Sequence, residues 1–284
     1  MYKHPYFEIW LHDDNELAEA LGGSISERTT IHEWPLSSVQ RVRTDDGSSY
    51  IYKVQSPPTL EYSFYTHARS GLLVAVRLLE EQGKATAMIM EDVDAPRLSD
   101  LQLHEAEILE IAGELISMIA EIGGELPVMM DISTEVGWMD YIGAALEDMR
   151  IMIDEGSFIQ VDHELVDSLA RLSEAPSLKH IFNTQTGYVH ADLKADNILV
   201  TPSGYRVLDW QRPIRGPVLL DTATLLISMG IDPLRHVPIG IVQLYHFMHL
   251  AWYAQAARRW VPQGKKWFDG IIKGISDELG HLQT

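Results

Sequence analysis

Apolar and polar positions along this chain follow two different periods, and the change falls near residues 92–98. Before it the pattern is that of strands. Thr29-Thr30-Ile31-His32-Glu33-Trp34 is short and rich in β-formers, Pro35-Leu36-Ser37-Ser38 interrupts it, and Val39–Arg43 alternates apolar with polar. Asp45-Asp46-Gly47 is a hairpin-turn signal, and Tyr50–Val54 reads as a third strand. Three strands joined by tight turns predict an antiparallel meander. Thr59 is placed to cap a short helix reaching about Ala68, and strands near 74–79 and 85–90 flank a turn at Gln82-Gly83.

After Pro96 the period becomes helical. Leu101, Ile108, Ile111, Leu115, Met118 and Ile119 recur at helical spacing with acids between them. Glu147–Met152 and Leu165–Leu172 continue the pattern, strands return between Gly187 and Leu208, and Ile239–Arg259 and Trp267–Leu279 read as closing helices. The expectation is an α+β chain with a small antiparallel-sheet lobe over 1–94 and a larger, mainly helical lobe over 95–284. The chain has no internal repeat and no low-complexity tract.

Composition narrows the classes of function. The 284 residues carry 22 Lys and Arg against 41 Asp and Glu, a net charge of −19, so nucleic-acid phosphates would be repelled. With no cysteine, disulfides, thiolate metal sites and thiol nucleophiles are excluded. The longest apolar stretch, Val218–Met229, contains Asp221 and falls short of the roughly 20 residues a membrane span needs. Met1-Tyr2-Lys3-His4-Pro5 does not open a signal peptide, and the expected setting is cytoplasmic. The charge is uneven: residues 101–180 hold 17 acids against 3 bases, whereas 181–284 hold 8 against 10. Solvated helix faces explain such a segment, and so does a surface that attracts a cationic substrate.

The chemistry concentrates in Gly187–Gln211. Ile198-Leu199-Val200 and Arg206-Val207-Leu208 flank Pro202-Ser203-Gly204, a hairpin turn. Pairing Val200 with Arg206 sets Asn197 opposite Asp209, with Cβ atoms about 5 Å apart. A carbonyl oxygen and a carboxylate converging there suit a hard divalent cation such as Mg²⁺. Asp192, five residues before Asn197, sits where a carboxylate can orient an attacking hydroxyl. His190-x-Asp192-x-x-x-x-Asn197, leading into a hairpin that ends in Asp209, matches the kinase-type catalytic loop.

On these motifs the chain resembles the aminoglycoside phosphotransferase and choline kinase superfamily, relatives of the protein kinases, over nearly its whole length. The resemblance implies a bilobal kinase-like fold, ATP or GTP as phosphate donor, Mg²⁺, and a small-molecule hydroxyl as acceptor. It makes Asp192 the catalytic aspartate and Asn197 and Asp209 the Mg²⁺ ligands. His190 would serve the loop's framework, and Asp221, in the Gly216-Pro217…Asp221-Thr222-Ala223 stretch, would brace it. In the small lobe Lys53 would contact the α- and β-phosphates, with Glu61 as its partner at an unusually short spacing of eight. Met90 and Asp92 would supply backbone contacts to the base. Ser37 and Ser38 stand where a protein kinase has its glycine-rich loop, and their hydroxyl and N–H groups would reach phosphate.

Two departures from the family pattern stand out. Gln211 occupies a position where many relatives carry a second acid after the metal aspartate. Lys194, two residues after Asp192, resembles the protein-kinase loop more than the common pattern of this superfamily, and would neutralise charge on the transferring phosphoryl group. By the resemblance, the acceptor pocket lies in the helical lobe, with Trp138, Asp140, Tyr141, Glu155, Asp162, Tyr245, His249, Trp252 and Tyr253 as candidates. The acidic segment favours a cationic, aminoglycoside-like acceptor. A metabolic kinase of choline, homoserine or sugar type and a nucleotide-binding pseudokinase scaffold are the alternatives, and the oligomeric state is left open.

Overall fold

The computed structural model describes residues 1–79 and 85–282. The chain divides into two compact units. The first comprises residues 1–100, 122–127 and 196–212; the second comprises 101–121, 128–195 and 213–284. The hairpin within residues 196–212 thus clusters with the first unit.

In the first unit, β1 (Tyr2–Lys3) and β2 (Trp10–Leu11) form a short ribbon, followed by α1 (Asp14–Leu21). The body is an antiparallel sheet of β3 (Ile25–Trp34), β4 (Ser37–Thr44), β5 (Ser49–Gln55), β6 (Val76–Leu78) and β7 (Thr86–Glu91), ordered β3-β4-β5-β7-β6. The predicted meander is its first half. Its second turn works as the sequence suggests: Gly47 takes φ +86°, and Asp46 accepts the Ser48 N–H at 2.9 Å. The predicted turn at Gln82-Gly83 lies outside the described residues. Alternation along β5 sends Tyr52 and Val54 into a core with Ile9, Leu11, Leu17, Val42 and Ile89. The opposite face gathers Val74, Met88 and Met90 with Ile51, Tyr62, Tyr65 and Leu208. There α2 (Glu61–His67) packs, with the Thr59 hydroxyl accepting the Glu61 N–H at 3.2 Å.

Two features were absent from the sequence expectation. The Asp13…Glu16 capping box that opens α1 was readable, but the helix spans only eight residues and fully buries Leu17 alone. β3 runs ten residues rather than six; it is a sheet edge whose largely exposed positions show no apolar alternation to announce it.

The second unit is mainly helical: α3 (Glu105–Ala120), α4 (Glu135–Asp154), α5 (His163–Ser173), α6 (Pro176–Ile181), α7 (Leu219–Ser228), α8 (Ile239–Gln255) and α9 (Lys265–His281). The predicted 147–152 segment is the C-terminal part of the twenty-residue α4. α8 is apolar around much of its circumference because α4, α6, α7 and α9 all pack on it. Gly240 admits α6 closely: a Cβ there would lie 2.1 Å from the Ser177 carbonyl oxygen. The apolar stretch at 218–229 is the buried α7, and no helix among the described residues is long and apolar enough to cross a membrane. A ribbon of β8 (Thr186–Val189) and β11 (Ile214–Pro217) carries the chain into the loop that holds His190 and Asp192.

The remaining hairpin, β9 (Ile198–Thr201) with β10 (Gly204–Val207), corrects the expected register by one residue. Val200 pairs with Tyr205, not Arg206, so Asn197 stands opposite Leu208, whose N–H donates to its carbonyl at 2.8 Å. The loop holds two residues, Pro202-Ser203, because Gly204 takes φ +113° and joins the ladder. The Thr201 hydroxyl closes the turn by donating to the Gly204 carbonyl at 2.6 Å. Asp209 consequently lies beyond the ladder.

Candidate active site

Lys53 is opposite Met88 on the sheet face that α2 covers, and it is buried. Its ammonium lies 2.6 Å from Glu61 Oε2 and 2.6 Å from Asp209 Oδ1. The contact to Asp209 has hydrogen-bond geometry; the contact to Glu61 is an ion pair without it. Burial by itself would discharge the ammonium, but the Asp209 and Glu61 carboxylates outweigh it and hold the Lys53 pKa above its ordinary value. Glu61 opens α2 and is completely buried, so the eight-residue spacing from Lys53 is long enough for strand, turn and helix to bring the two together.

Asp209 is held by the residues on its C-terminal side. It adopts φ +67°, a left-handed conformation uncommon for a residue with a Cβ. Trp210 is fully buried, donates its indole N–H to the Val207 carbonyl at 2.9 Å, and stacks on Phe64 of α2 with ring centroids 4.3 Å apart. Tyr65, one helical turn after Glu61, turns a buried hydroxyl into the same group, without a hydrogen-bond partner among the described residues. Burial, then the charges of Glu61 and Asp209, raise its pKa well above that of a free tyrosine. Neither Trp210 nor Tyr65 was singled out from sequence, where each reads as an ordinary core aromatic.

Of the four other residues expected to meet nucleotide in this unit, two begin a strand, one lies inside a strand and one falls just past it. The turn before β4 is Pro35-Leu36 alone, so Ser37 and Ser38 are buried strand residues paired with Gln55 and Val54 rather than members of a covering loop. Ser38 Oγ makes no hydrogen bond among the described residues. Met90 lies inside β7, paired with Ile51 on one side and Val76 on the other, which takes its backbone into the sheet rather than leaving it for a base. Asp92 falls just past the strand; its carboxylate meets Arg41 at 2.7 Å and accepts the Ser49 hydroxyl at 2.6 Å.

In the second unit the loop after β8 is braced from α7. Asp221, buried, accepts the His190 N–H on Oδ2 at 2.8 Å and the Ala191 N–H on Oδ1 at 2.9 Å. The grip holds Ala191 at φ +67°, and burial pushes the Asp221 pKa up to about 7 against these two donors. His190 is buried, and its Nδ1 accepts the Asp192 N–H at 3.2 Å, which leaves the proton of the neutral ring on Nε2. The Lys194 ammonium lies 2.8 Å from Asp192 Oδ1. Tyr245 of α8 is within the field of Asp192: burial first, then that charge, pushes its pKa up to about 12. Other acceptor candidates have structural work. Trp138 is core and donates to the Ser173 carbonyl at 3.0 Å, Asp162 caps α5, and Glu155 pairs with Lys265 at 3.2 Å.

The sequence model of the phosphotransferase enzyme family matches residues 35–259, an interval that includes Lys53, Glu61, Asp192, Asn197, Asp209 and Asp221. The chain belongs to that family. Its members' chemistry makes it a nucleotide-dependent small-molecule phosphotransferase with a kinase-like α+β fold. Among curated proteins none matches it in sequence. Similar solved structures include a thermostable mutant of aminoglycoside phosphotransferase APH(4)-Ia, 18% identical with a TM-score of 0.62, covering 94% of this chain and 98% of that one. A choline/ethanolamine kinase family protein from Mesorhizobium loti is 13% identical with a TM-score of 0.59, covering 92% and 88%. Spectinomycin phosphotransferase APH(9)-Ia, in complex with ADP and spectinomycin, is 14% identical with a TM-score of 0.55, covering 96% and 99%. At these identities the likeness is one of fold.

For a phosphotransferase the metal question turns on the donor set. Asn197 precedes β9 and Asp209 lies two residues past β10, and their side chains offer one amide oxygen and one carboxylate, both hard donors. Among the described residues no group of three or more His, Cys, Asp or Glu side chains forms a metal cluster. A sparse oxygen set fits a hard cation such as Mg²⁺ carried in with nucleotide phosphates and water.

Proposed function

We propose that this phosphotransferase moves the γ-phosphate of ATP to a hydroxyl of a small cationic molecule, with an aminoglycoside-like acceptor favoured. The observation that carries the reading is the Asp192 loop: a carboxylate on a backbone pinned at two N–H groups by Asp221, with the Lys194 ammonium 2.8 Å away. Asp192 orients the acceptor hydroxyl and receives its proton as the new O–P bond forms and the bond from the γ-phosphorus to the β-phosphate bridging oxygen breaks. Lys194 supplies positive charge beside the transferring group, and Lys53 holds the α- and β-phosphates. Asn197 and Asp209 would hold Mg²⁺, which when bound neutralises phosphate charge. Solved relatives of this fold have been captured with AMP-PNP and hygromycin B, and with ADP and spectinomycin. The cationic preference rests on the 17 acids against 3 bases over residues 101–180.

A coupled assay of ADP release over aminoglycosides, aminocyclitols, amino alcohols and neutral sugars tests both parts. Turnover confined to cationic acceptors is expected. Turnover on neutral sugars alone would overturn the acceptor class, and ATP binding without transfer to any acceptor would overturn the assigned role of Asp192. An amino-alcohol preference would place the enzyme with the choline/ethanolamine kinases it resembles in fold.

A further inference from the structure

Gln211, two residues after Asp209, turns its side-chain amide back onto that carboxylate. Its Nε2 donates to Asp209 Oδ1 at 2.5 Å, the oxygen that also accepts from Lys53. A carboxylate offers only acceptors, so the amide orientation is chemically fixed: the NH₂ side faces Asp209 and the side-chain carbonyl does not. Its backbone works at the same junction. The Gln211 N–H donates to the Asp209 carbonyl at 2.8 Å, closing the tight turn that Asp209 enters at φ +67°. The Gln211 carbonyl accepts the N–H of Leu60, the residue immediately before Glu61 and α2, at 2.8 Å. One residue thus joins the metal aspartate, its left-handed turn and the start of the helix that holds the Lys53 partner.

We propose that Gln211 is a positioning residue: its amide sets the rotamer of Asp209 and presents that carboxylate, already oriented, to the metal–nucleotide complex. The inference rests on the phosphotransferase reading of Asp209 as a metal ligand. Glutamate in this place would set two carboxylates against each other at hydrogen-bond distance, a repulsion relieved by a shared proton or by a cation beyond the one Lys53 already supplies. With glutamine the pair is attractive before any metal arrives.

The test uses the full chain with two substitutions. Gln211→Met keeps length and removes the donor; Gln211→Glu keeps length and reverses the interaction. Calorimetric titration with AMP-PNP, in Mg²⁺ and in EDTA, reads positioning separately from folding. Gln211→Met is expected to weaken the Mg²⁺ complex about tenfold, about 1.4 kcal/mol, and to leave the metal-free affinity unchanged. Gln211→Glu is expected to melt below Gln211→Met in EDTA and to regain more of its Tm on adding Mg²⁺ than the parent gains. Parent-like Mg²⁺-nucleotide affinity in Gln211→Met would overturn the positioning role alone, as would equal melting of the two variants in EDTA. Failure of the parent itself to bind AMP-PNP with Mg²⁺ would overturn the phosphotransferase reading of the site, and this inference with it.

Discussion

Replacing Lys53 with methionine leaves Glu61 as a buried carboxylate that has lost its counter-charge and faces Asp209. The cost can be worked from the geometry. At an effective dielectric of about 20, unit charges 2.6 Å apart attract by about 6 kcal/mol, and desolvation of the two ions takes back much of it. Glu61 is fully buried, so no solvent relieves the orphaned charge, and Lys53→Met should destabilise the fold by about 3–5 kcal/mol near neutral pH. Glu61→Gln should cost less, about 1–2 kcal/mol, because Lys53 keeps Asp209, and the double variant should be more stable than Lys53→Met alone. Urea denaturation followed by tryptophan fluorescence measures the cycle, with Trp210 on Phe64 as a reporter within the same unit. The coupling has a signature in pH. Burial raises the Glu61 pKa above the ordinary carboxyl value, so without Lys53 the fold favours the protonated form. Lys53→Met should therefore be least impaired below about pH 4.5 and lose stability as pH rises, a slope that Glu61→Gln removes. Additive costs in the double variant, or a pH-independent loss, would refute the claim that this pair is one buried electrostatic unit.

Three further outcomes are expected of the same structure. Asp192→Ala should lower turnover at least 10²-fold while leaving ATP affinity within a few-fold, measured by the coupled assay and by nucleotide titration; parent-like turnover would remove Asp192 from the chemistry. Asp221, with its pKa raised to about 7 in the fold, binds a proton there that the unfolded chain releases near pH 4, so its stabilising share is full at low pH and is lost as pH rises toward 7. Asp221→Asn should flatten the pH dependence of stability between pH 4 and 7, which urea midpoints across that range would show or deny. Gly240→Ala should cost about 1–3 kcal/mol in thermal or urea unfolding, because its Cβ would sit 2.1 Å from the Ser177 carbonyl oxygen; an unchanged midpoint would mean that α6 and α8 separate freely.

Legibility from sequence varied with the range of the interaction. The β4–β5 hairpin was readable because Asp45-Asp46-Gly47 has its own turn chemistry, and α3, α5 and α9 were readable because each shows a buried stripe at helical period. The β9–β10 register was misread by one residue because the sequence permits either a three-residue loop or the two-residue loop that Gly204 adopts. Ser37 and Ser38 were expected in a phosphate-covering loop because Pro35 marks a break, but a break does not state its length. Gln211 stands next to the site in sequence, yet its role as a donor depends on where Asp209 Oδ1 lies.

The sequence by itself determined the family, the order of the two structural regimes and the candidate residues for the site. These are written in local periodicity, in turn residues and in the spacing of Asp192, Asn197 and Asp209, all of which one stretch of chain can encode. Only the tertiary structure decided which of those charges neutralise one another. Lys53 meets Asp209 across 156 positions, and Asp221 grips the loop at His190 and Ala191 from 31 and 30 positions downstream. Carboxylates and ammonium groups carry no mark of their partners in one dimension. Burial makes pairing compulsory, and packing of α2 against the sheet and of α7 beneath the loop selects the partner.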